Sequence, residues 1–357
     1  MEPTIPLTRT DQPKPKPSDS QLGFGEIFTD HMFLMDGAVD GGWHNPRIVP
    51  YGPLSLDPST AVFHYGQALF EGIKAYRSPQ DKIFLFRADK SAERLNRSAE
   101  RLCVPPIDER FFMSALKSLI AVDREWVPQA PGTSLYIRPT VIASDPYLGV
   151  RPSKTYSFFV ILSPVGAYYP EGFNPVKILV EDQYVRSVKG GMGEAKTAGN
   201  YAASLLAGEE AHRQGFSQVL WLDGVERRYI EEVGSMNIAF MINDELVTPP
   251  LNGNILAGIT RDSVLQLAKD WSIPVAERPI TIDDVFSAAE TGQLQEIFGM
   301  GTAAVISPVS ELSYKGQSLT VNNGQVGPLA ERLFEEISAI QRGLKPDPHG
   351  WVVEVEG

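Results

Sequence analysis

A glycine-rich stretch, Gly190-Gly-Met-Gly-Glu-Ala-Lys196-Thr-Ala-Gly-Asn-Tyr201, lies between a predicted strand at 176–180 and a predicted helix at 198–213. In α/β proteins, a loop between a strand and a helix is a common place for a ligand. Glycine lets the backbone approach a ligand closely, and Lys196 is framed by small residues. A lysine whose pKa is lowered by burial or by a neighbouring cation forms Schiff bases. The residues alone leave two interpretations open, a reactive lysine and a solvated loop lysine.

The composition limits the possible classes of protein. The 357 residues are 43% hydrophobic and 21% charged, which excludes disorder as the main state. No stretch approaches the roughly 20 apolar residues that a membrane helix needs. The net charge of −12 disfavours nucleic acid as the main partner, because polyanion binders usually carry a basic excess. Cys103 is the only cysteine and the histidines lack ligand spacing, so we expect no disulfide within the chain and no metal.

The order of strands and helices predicts two mixed α/β domains. Residues 1–22 are rich in proline and lack an apolar run, so we expect a mobile N-terminal tail and no targeting signal. A small α/β domain is predicted at 23–163 and a large one at 174–357. Between them, 164–173 is rich in glycine, proline and tyrosine, which is typical of an interdomain connector.

Apolar spacing predicts the individual elements. The predicted strands are 26–35 (stopped by Asp36-Gly37), 134–143, 156–162, 176–180, 218–222, 229–233, 236–242, 295–298 and 303–306. The predicted helices are 89–102, 109–122, 198–213, 260–271, 282–291 (with Thr281 as N-cap) and 328–342. No internal repeat is present, so the sequence predicts a single copy of each domain.

Two glycine turns are candidate anion sites. Gly258-Ile-Thr260 opens a helical pattern, and Gly299-Met-Gly-Thr-Ala303 offers backbone N–H groups and a hydroxyl in a turn. Free N–H groups and the helix dipole favour an anion at the first of these. Ordinary capping by Thr260 is the alternative interpretation.

Charged side chains mark two further places. Arg94, Arg97 and Arg101 share one helix face, which is usually a solvated surface, although one arginine turned inward would hold a phosphate. Glu231-Glu232 lies in a predicted strand, where neighbouring side chains face opposite ways, so one of the two points inward. A buried carboxylate needs a partner, and a protonated pyridine nitrogen or an arginine would serve.

The sequence lacks a phosphate-binding P-loop, a zinc-protease motif, a nucleophile elbow and a complete dinucleotide fingerprint. From about residue 24 to 345 it resembles the branched-chain amino acid aminotransferases, members of the fold-type IV pyridoxal-phosphate enzymes. Six segments in the family's order carry the resemblance: Phe63-His-Tyr-Gly-Gln-Ala-Leu-Phe-Glu-Gly72, Leu135-Tyr-Ile-Arg-Pro139, Lys196-Thr-Ala-Gly-Asn-Tyr201, Glu232-Val-Gly-Ser-Met-Asn237, Gly258-Ile-Thr-Arg261 and Gly301-Thr-Ala303. The resemblance implies a two-domain α/β architecture with the cofactor between the domains, and it favours the reactive lysine.

The resemblance also implies roles for individual residues. Lys196 matches the lysine that holds pyridoxal 5'-phosphate as an internal aldimine and then moves the α-proton. Tyr201 matches the tyrosine at the cofactor's phenolic oxygen, and Glu232 matches the glutamate at its pyridine nitrogen. The phosphate is expected at Arg94, Ile259, Thr260 and Thr302. The substrate is expected at Tyr65, Phe70, Tyr136, Arg138, Val150, Tyr168, Thr302 and Ala303.

The reaction implied by the resemblance is a reversible amino transfer. The amino group of L-leucine, L-isoleucine or L-valine passes to 2-oxoglutarate, giving the branched-chain 2-oxo acid and L-glutamate. Tyr136 and Arg138 would receive carboxylates, and Val150 would reach the pocket of the partner subunit in a homodimer. We expect a cytoplasmic enzyme with small-molecule substrates. The alternatives are a D-amino-acid aminotransferase, an aminodeoxychorismate lyase and a non-catalytic relative.

Overall fold

The computed structural model describes residues 5–166, 168 and 173–356. Contacts within the chain divide it into two compact units. The first unit consists of Met1–Tyr168, Ala195–Ala198 and Ala339–Gly357, and the second of Tyr169–Glu194 and Gly199–Ser338. Two stretches that the sequence analysis assigned to the second domain, one around Lys196 and one at the C-terminus, therefore make their contacts in the first unit.

The described residues form seventeen strands and eight α-helices. The strands are β1 (His31–Ala38), β2 (Gly42–Pro50), β3 (Ala68–Phe70), β4 (Ile73–Arg77), β5 (Ile83–Phe86), β6 (Ser134–Ala143), β7 (Thr155–Val165), β8 (Val176–Glu181), β9 (Gln218–Leu222), β10 (Ile230–Val233), β11 (Asn237–Ile242), β12 (Glu245–Thr248), β13 (Val275–Glu277), β14 (Leu294–Gly301), β15 (Val305–Tyr314), β16 (Gln317–Thr320) and β17 (Val352–Val355). The helices are α1 (Ala61–Tyr65), α2 (Ala88–Arg101), α3 (Glu109–Val122), α4 (Ala198–Ala202), α5 (Leu205–Arg213), α6 (Ile259–Asp270), α7 (Ile282–Glu290) and α8 (Pro328–Gln341).

The first unit is built on an antiparallel sheet with the strand order β17-β5-β4-β6-β7-β1-β2, and β3 also pairs with β6. Its longest ladder joins β6 to β7, from Ser134↔Val165 to Ala143↔Tyr156. Buried side chains of α2, α3 and the sheet, among them Leu95, Leu116 and Phe158, form one apolar cluster. Each large apolar side chain buried in this way stabilises the fold by about 1.5–3 kcal/mol.

The second unit contains a mixed sheet with the order β10-β9-β8-β15-β14-β11-β12-β13, and β16 pairs with β15. The pairs β8–β9, β8–β15 and β12–β13 are parallel, and the other pairs are antiparallel. The predicted N-cap of α7 is confirmed, because Thr281 and Asp284 form a reciprocal capping box. The carboxylate of Glu296 accepts hydrogen bonds from Leu329 N (2.8 Å) and Ala330 N (2.9 Å), which anchors the first turn of α8.

Three predicted elements differ from the structure. The strand predicted at 303–306 begins at Val305 and continues to Tyr314, because residues 302–304 form a turn. The first strand occupies residues 31–38, and not 26–35. Gly37 does not end the strand, because glycine is required there for close packing. A Cβ atom on Gly37 would lie 2.7 Å from the ring of Trp43. The helix predicted at 198–213 is two helices, α4 and α5. The helical hydrogen-bond pattern is interrupted at Ser204, whose hydroxyl donates to Tyr201 O at 2.7 Å.

The N-terminal segment follows the sheet of the first unit from residue 5 onward. Thr8 N donates to Ile48 O at 2.9 Å, and Ile48 N donates to Pro6 O at 2.8 Å. Thr10 N donates to the buried His31 Nε2 at 3.0 Å. The segment therefore has defined partners over 6–10, and its predicted mobility stays a prediction. Residues 1–4 of the predicted tail lie outside the described residues.

Half of the predicted connector at 164–173, residues 167 and 169–172, lies outside the described residues. Residues 164 and 165 belong to β7. Over the described parts of the chain, none of the helices is both long enough and apolar enough to cross a membrane.

Lys74 is a buried cation in the centre of the first sheet. It is 7% exposed, and it lies opposite Tyr136 in the ladder between β4 and β6. Burial, together with the positive charge of Arg342, lowers the pKa of Lys74 from 10.5 to about 8. Between these two values the unfolded chain binds a proton that the folded chain does not bind. The free energy of unfolding therefore rises with pH through this window.

Replacing Lys74 by Met should remove this pH dependence. The free energy of unfolding of the wild type, relative to Lys74→Met, is expected to rise by about 3 kcal/mol from pH 8 to 10.5. Other titrating groups, such as Tyr76, are present in both proteins and cancel in the difference. Denaturant unfolding at several pH values, with both proteins in the same cofactor state, measures it.

The matched control is Lys154→Met, at an exposed lysine just before β7. The difference in the free energy of unfolding between the wild type and Lys154→Met should not change over the same pH range. If the difference between the wild type and Lys74→Met also does not change with pH, the lowered pKa of Lys74 is contradicted.

Candidate active site

Lys196 is held in the first unit by its backbone. Its N–H donates to Ser98 Oγ at 2.9 Å, and its carbonyl oxygen accepts a hydrogen bond from Phe70 N at 3.1 Å. The next residue, Thr197, forms an isolated bridge with Leu69. The Lys196 ammonium nitrogen lies 5.1 Å from the centre of the Phe70 ring. The predicted reactive lysine is thus fixed beside an aromatic residue of β3.

Arg94 turns inward, whereas Arg97 and Arg101 of the same row are exposed. Its Nε and Nη2 donate to the two carboxylate oxygens of Glu71 at 2.7 Å and 2.8 Å. Both side chains are almost completely buried, at 5% and 0% exposure. The pairing partner Glu71 was not recognised from the sequence, although it lies within the first matching segment. The role of Arg94 at a phosphate stays a prediction.

Tyr136 and Arg138 project from the same face of β6, because they are two residues apart in a strand. Arg138 Nη2 donates to the Tyr136 hydroxyl at 3.0 Å, and the guanidinium carbon lies 4.5 Å from the centre of the Phe70 ring. Arg138 Nε is buried and has no hydrogen-bond partner among the described residues. A buried donor without a partner is typical of a site for an acceptor group. Glycine is required at 72, where a Cβ atom would lie 2.2 Å from the Tyr136 hydroxyl.

The other predicted substrate residues of the first unit lie in two places. Phe24, which sequence reasoning missed, packs between Tyr136 (5.1 Å between ring centres) and Tyr168 (4.9 Å). Tyr65 and Val150 are exposed, at 43% and 89%. Phe70 therefore groups with Lys196 and Arg138, Tyr168 groups with Tyr136, and Tyr65 and Val150 lie on the surface.

In the second unit, Glu232 is a buried carboxylate on β10. It forms an ion pair with Arg186, and it accepts a hydrogen bond from Asn237 Nδ2 at 3.1 Å. The sequence predicted that one of the two adjacent glutamates points inward, and both are buried. Glu231 and Glu232 are each 3% exposed, since β10 is covered on both faces. Arg186 was not identified from the sequence, because its loop shows no periodic pattern.

The N-terminus of α6 has the form of an anion site. Its N-cap is Gly258, which makes no side-chain cap, so the alternative of capping by Thr260 was wrong. Thr260 is instead the second residue of the helix, and it is 6% exposed. A Cβ atom on Gly258 would lie 1.8 Å from Asn237 Oδ1. Because Asn237 also binds Glu232, the helix N-terminus and the buried carboxylate belong to one cluster.

Thr302 and Ala303 form the turn between β14 and β15, which Gly301 and Val305 close. The ladder between β11 and β14 brings this turn close to Asn237, which is paired with Met300. Val305 follows the turn with a φ of 64°. This conformation is strained for a β-branched residue, and such strain is commonly found at functional sites. Ile259, Thr260, Thr302 and Ala303 thus share the sheet end that carries Glu232.

Tyr201 lies on α4, immediately after the segment that carries Lys196, and it is half-buried. The helix is fixed to the glycine-rich stretch by Asn200 Nδ2, which donates to Met192 O at 2.8 Å. Gly190 in this stretch has a φ of 80°, which favours glycine. The local backbone around Tyr201 is therefore defined by hydrogen bonds on both sides.

Comparison with known proteins identifies the relatives of this chain. The family model described as amino-transferase class IV matches residues 68–312. "Branched-chain-amino-acid aminotransferase 2" of Bacillus subtilis (strain 168) is 58% identical over 352 residues, which cover 99% of this chain and 97% of that relative. These matches favour the branched-chain aminotransferase prediction over the alternative activities.

Solved structures agree in fold. A crystal structure of the Escherichia coli branched-chain amino acid aminotransferase has a TM-score of 0.78 and 27% identity, and the match covers 92% of this chain and 99% of that chain. The T.th. branched-chain amino acid aminotransferase in complex with N-(5'-phosphopyridoxyl)-L-glutamate has a TM-score of 0.75 and 27% identity, with 91% and 98% covered. With a family model over more than half of its residues and a relative aligned over almost its whole length, the chain belongs to the class IV aminotransferases, among the branched-chain-amino-acid aminotransferases.

Proposed function

We propose that this enzyme transfers the amino group of L-leucine, L-isoleucine or L-valine reversibly to 2-oxoglutarate, with pyridoxal 5'-phosphate as cofactor. One observation carries the proposal: the amine of Lys196 and the guanidinium of Arg138 contact the same ring, that of Phe70. An amine nucleophile, an apolar ring and a guanidinium in one cluster suit a pocket that takes both an apolar side chain and the second carboxylate of glutamate. The relatives named above support the substrate class.

Several of the residues described above fit a part of the cofactor. Lys196 fits its aldehyde, and the N-terminus of α6, which has no side-chain cap, fits its phosphate. Glu232, held next to Arg186, fits a protonated pyridine nitrogen. When bound, the cofactor supplies an electron sink that stabilises negative charge at the substrate's α-carbon. Tyr201 is proposed to donate to its phenolic oxygen.

The chain's own residues then orient the substrate and move the proton. The Lys196 amine would accept the proton that leaves the substrate's α-carbon and release it again during the amino transfer, which requires the amine to be neutral when it accepts the proton. Arg138 and the Tyr136 hydroxyl would hold the side-chain carboxylate of glutamate. The backbone N–H groups of Thr302 and Ala303 would bind the carboxylate that all the substrates share. Phe70 and Tyr168 exclude water from the side-chain pocket.

Two kinds of side chain must use this pocket. Aromatic walls bury the branched side chains, at about 0.8 kcal/mol for each CH₂ group. The second carboxylate of glutamate needs a cation, and Arg138 is the proposed partner because its buried Nε has none among the described residues.

Replacing Arg138 by Met should separate the two substrate types. The kcat/KM for glutamate and 2-oxoglutarate is expected to fall by about 100-fold, because a charge-assisted hydrogen bond worth roughly 2–3 kcal/mol is lost. The value for L-leucine should fall far less. Half-reaction kinetics with each substrate measure both. Arg97→Met, at an exposed arginine of α2, is the control and should leave both values unchanged; equal losses in Arg138→Met would rule out the assignment.

We also propose a homodimer in the cytoplasm, with Val150 entering the partner's site. Val150 belongs to an exposed apolar patch with Phe63 (61% exposed), Tyr147 (46%) and Leu148 (65%). Hydrogen bonds from Tyr147 N to Ser59 O and from Ala61 N to Asp145 O join the α1 region to this loop. Contiguous exposed apolar side chains are typical of protein interfaces.

An aspartate at 150 should weaken this dimer. A buried charge without a partner is unfavourable in an apolar interface, so Val150→Asp is expected to raise the dimer dissociation constant by about tenfold or more. Sedimentation velocity over a concentration series measures it. Val225→Asp, at another exposed valine (83%), should behave like the wild type. A monomeric wild type, or no difference between the two variants, would contradict the proposed interface.

A further inference from the structure

The adjacent carboxylates of β10 have different partners, although both are buried. Glu232 pairs with Arg186 and with Asn237 Nδ2. Glu231, on the opposite face of the strand, accepts a hydrogen bond from Asn254 Nδ2 at 2.7 Å. Two buried carboxylates so close in sequence are unfavourable if both are ionised and only one cation is near.

Arg186 connects Glu232 to the segments that carry other site residues. Besides contacting Glu232 Oε2, its Nη2 donates to Gly193 O at 3.2 Å and to Asn254 O at 3.0 Å. Gly193 shortly precedes Lys196, and Asn254 shortly precedes the N-terminus of α6. A Cβ atom on Gly193 would lie 1.9 Å from Asn254 O, so the two segments are in close contact.

The surroundings of Glu231 suit a neutral acid. Glu231 Oε2 and Asn254 Oδ1 are both buried, and neither has a hydrogen-bond partner among the described residues. Both are acceptors when Glu231 is ionised. A proton on Oε2 would make it a donor, and an acid–amide pair with Asn254 would then satisfy both atoms. Burial raises the pKa of Glu231, in spite of the Asn254 hydrogen bond and the charge of Arg186; Asp223 adds to the increase.

We propose that Arg186 and Asn254 give the two adjacent carboxylates different charge states. Arg186 is a positioning residue that keeps Glu232 ionised for the cofactor's pyridine nitrogen. Asn254 holds Glu231 as a neutral acid that fixes the segment before α6. The inference rests on the proposed contact between Glu232 and the cofactor.

The state of Glu232 is tested with Arg186→Met and its conservative counterpart Arg186→Lys. Without the guanidinium, a buried Glu232 is expected to bind a proton and become neutral, as glutamine is. Arg186→Met should therefore shift the visible absorption of bound pyridoxal phosphate, and its pH titration, in the same direction as Glu232→Gln. Its affinity for pyridoxal phosphate should fall by about tenfold or more. Arg186→Lys should restore part of the wild-type absorption and part of the cofactor affinity.

The state of Glu231 is tested with the matched pair Glu231→Gln and Glu232→Gln. Glutamine at 231 keeps a donor and an acceptor next to Asn254, so absorption, pH titration and cofactor affinity should stay at wild-type values. Thermal unfolding of the cofactor-free proteins shows whether each variant is folded. If Glu231→Gln loses cofactor affinity as Glu232→Gln does, the proposal that Glu231 is a neutral acid is overturned.

The outcomes separate this inference from the assigned site. If Glu232→Gln shifts the absorption and Arg186→Met, although folded, does not, the role of Arg186 is wrong while the site stands. If Glu232→Gln itself matches the wild type, the contact of Glu232 with the cofactor is wrong, and the inference fails with it.

Discussion

The position of Lys196 depends on two backbone hydrogen bonds. Ser98 on α2 and Phe70 on β3 bind the N–H and the carbonyl oxygen of this one residue. The chain immediately before and after, up to Glu194 and from Gly199, belongs to the second unit. A short segment is thereby held against the sheet that also carries Arg138. Without these bonds the lysine would be on a glycine-rich loop, where its side chain would sample many positions.

Each of the two units contains a buried ion pair. Arg94 with Glu71 in the first unit, and Arg186 with Glu232 in the second, are each almost completely buried. Such pairs add little net stability, because desolvation offsets their attraction, but removing one partner typically costs about 3–5 kcal/mol. We interpret them as fixing the orientation and charge of groups that are proposed to contact the cofactor. Arg138 Nε differs from them because it has no hydrogen-bond partner in the part of the chain that the structure describes, which is consistent with a carboxylate that arrives with the substrate.

The sequence predicted elements best where apolar residues repeat over a long segment. The helix at 109–122 has the predicted bounds, and the strand at 134–143 does too. Prediction failed where packing overrides local signals, as at Gly37, where the glycine accommodates Trp43 and the strand continues. It also failed between α4 and α5, where a single serine hydroxyl interrupts a pattern that is helical throughout.

The candidate site was predicted by its motifs, and its supporting residues were not. Lys196, Arg138 and Glu232 lie in segments whose order resembles a family. Phe24 and Arg186 lie in stretches without periodicity, and their roles depend on contacts with residues far along the chain. Lys74 carries no motif at all, and only its burial opposite Tyr136 distinguishes it from a surface lysine.

The central claim is that Lys196, and no other lysine, binds the cofactor covalently. Reduction of the wild-type protein with borohydride in the presence of pyridoxal phosphate, followed by digestion and mass spectrometry, tests it directly. The account predicts a phosphopyridoxyl group on the peptide that contains Lys196. A modification found instead on Lys74, the buried lysine of the same unit whose pKa is lowered, would contradict the account.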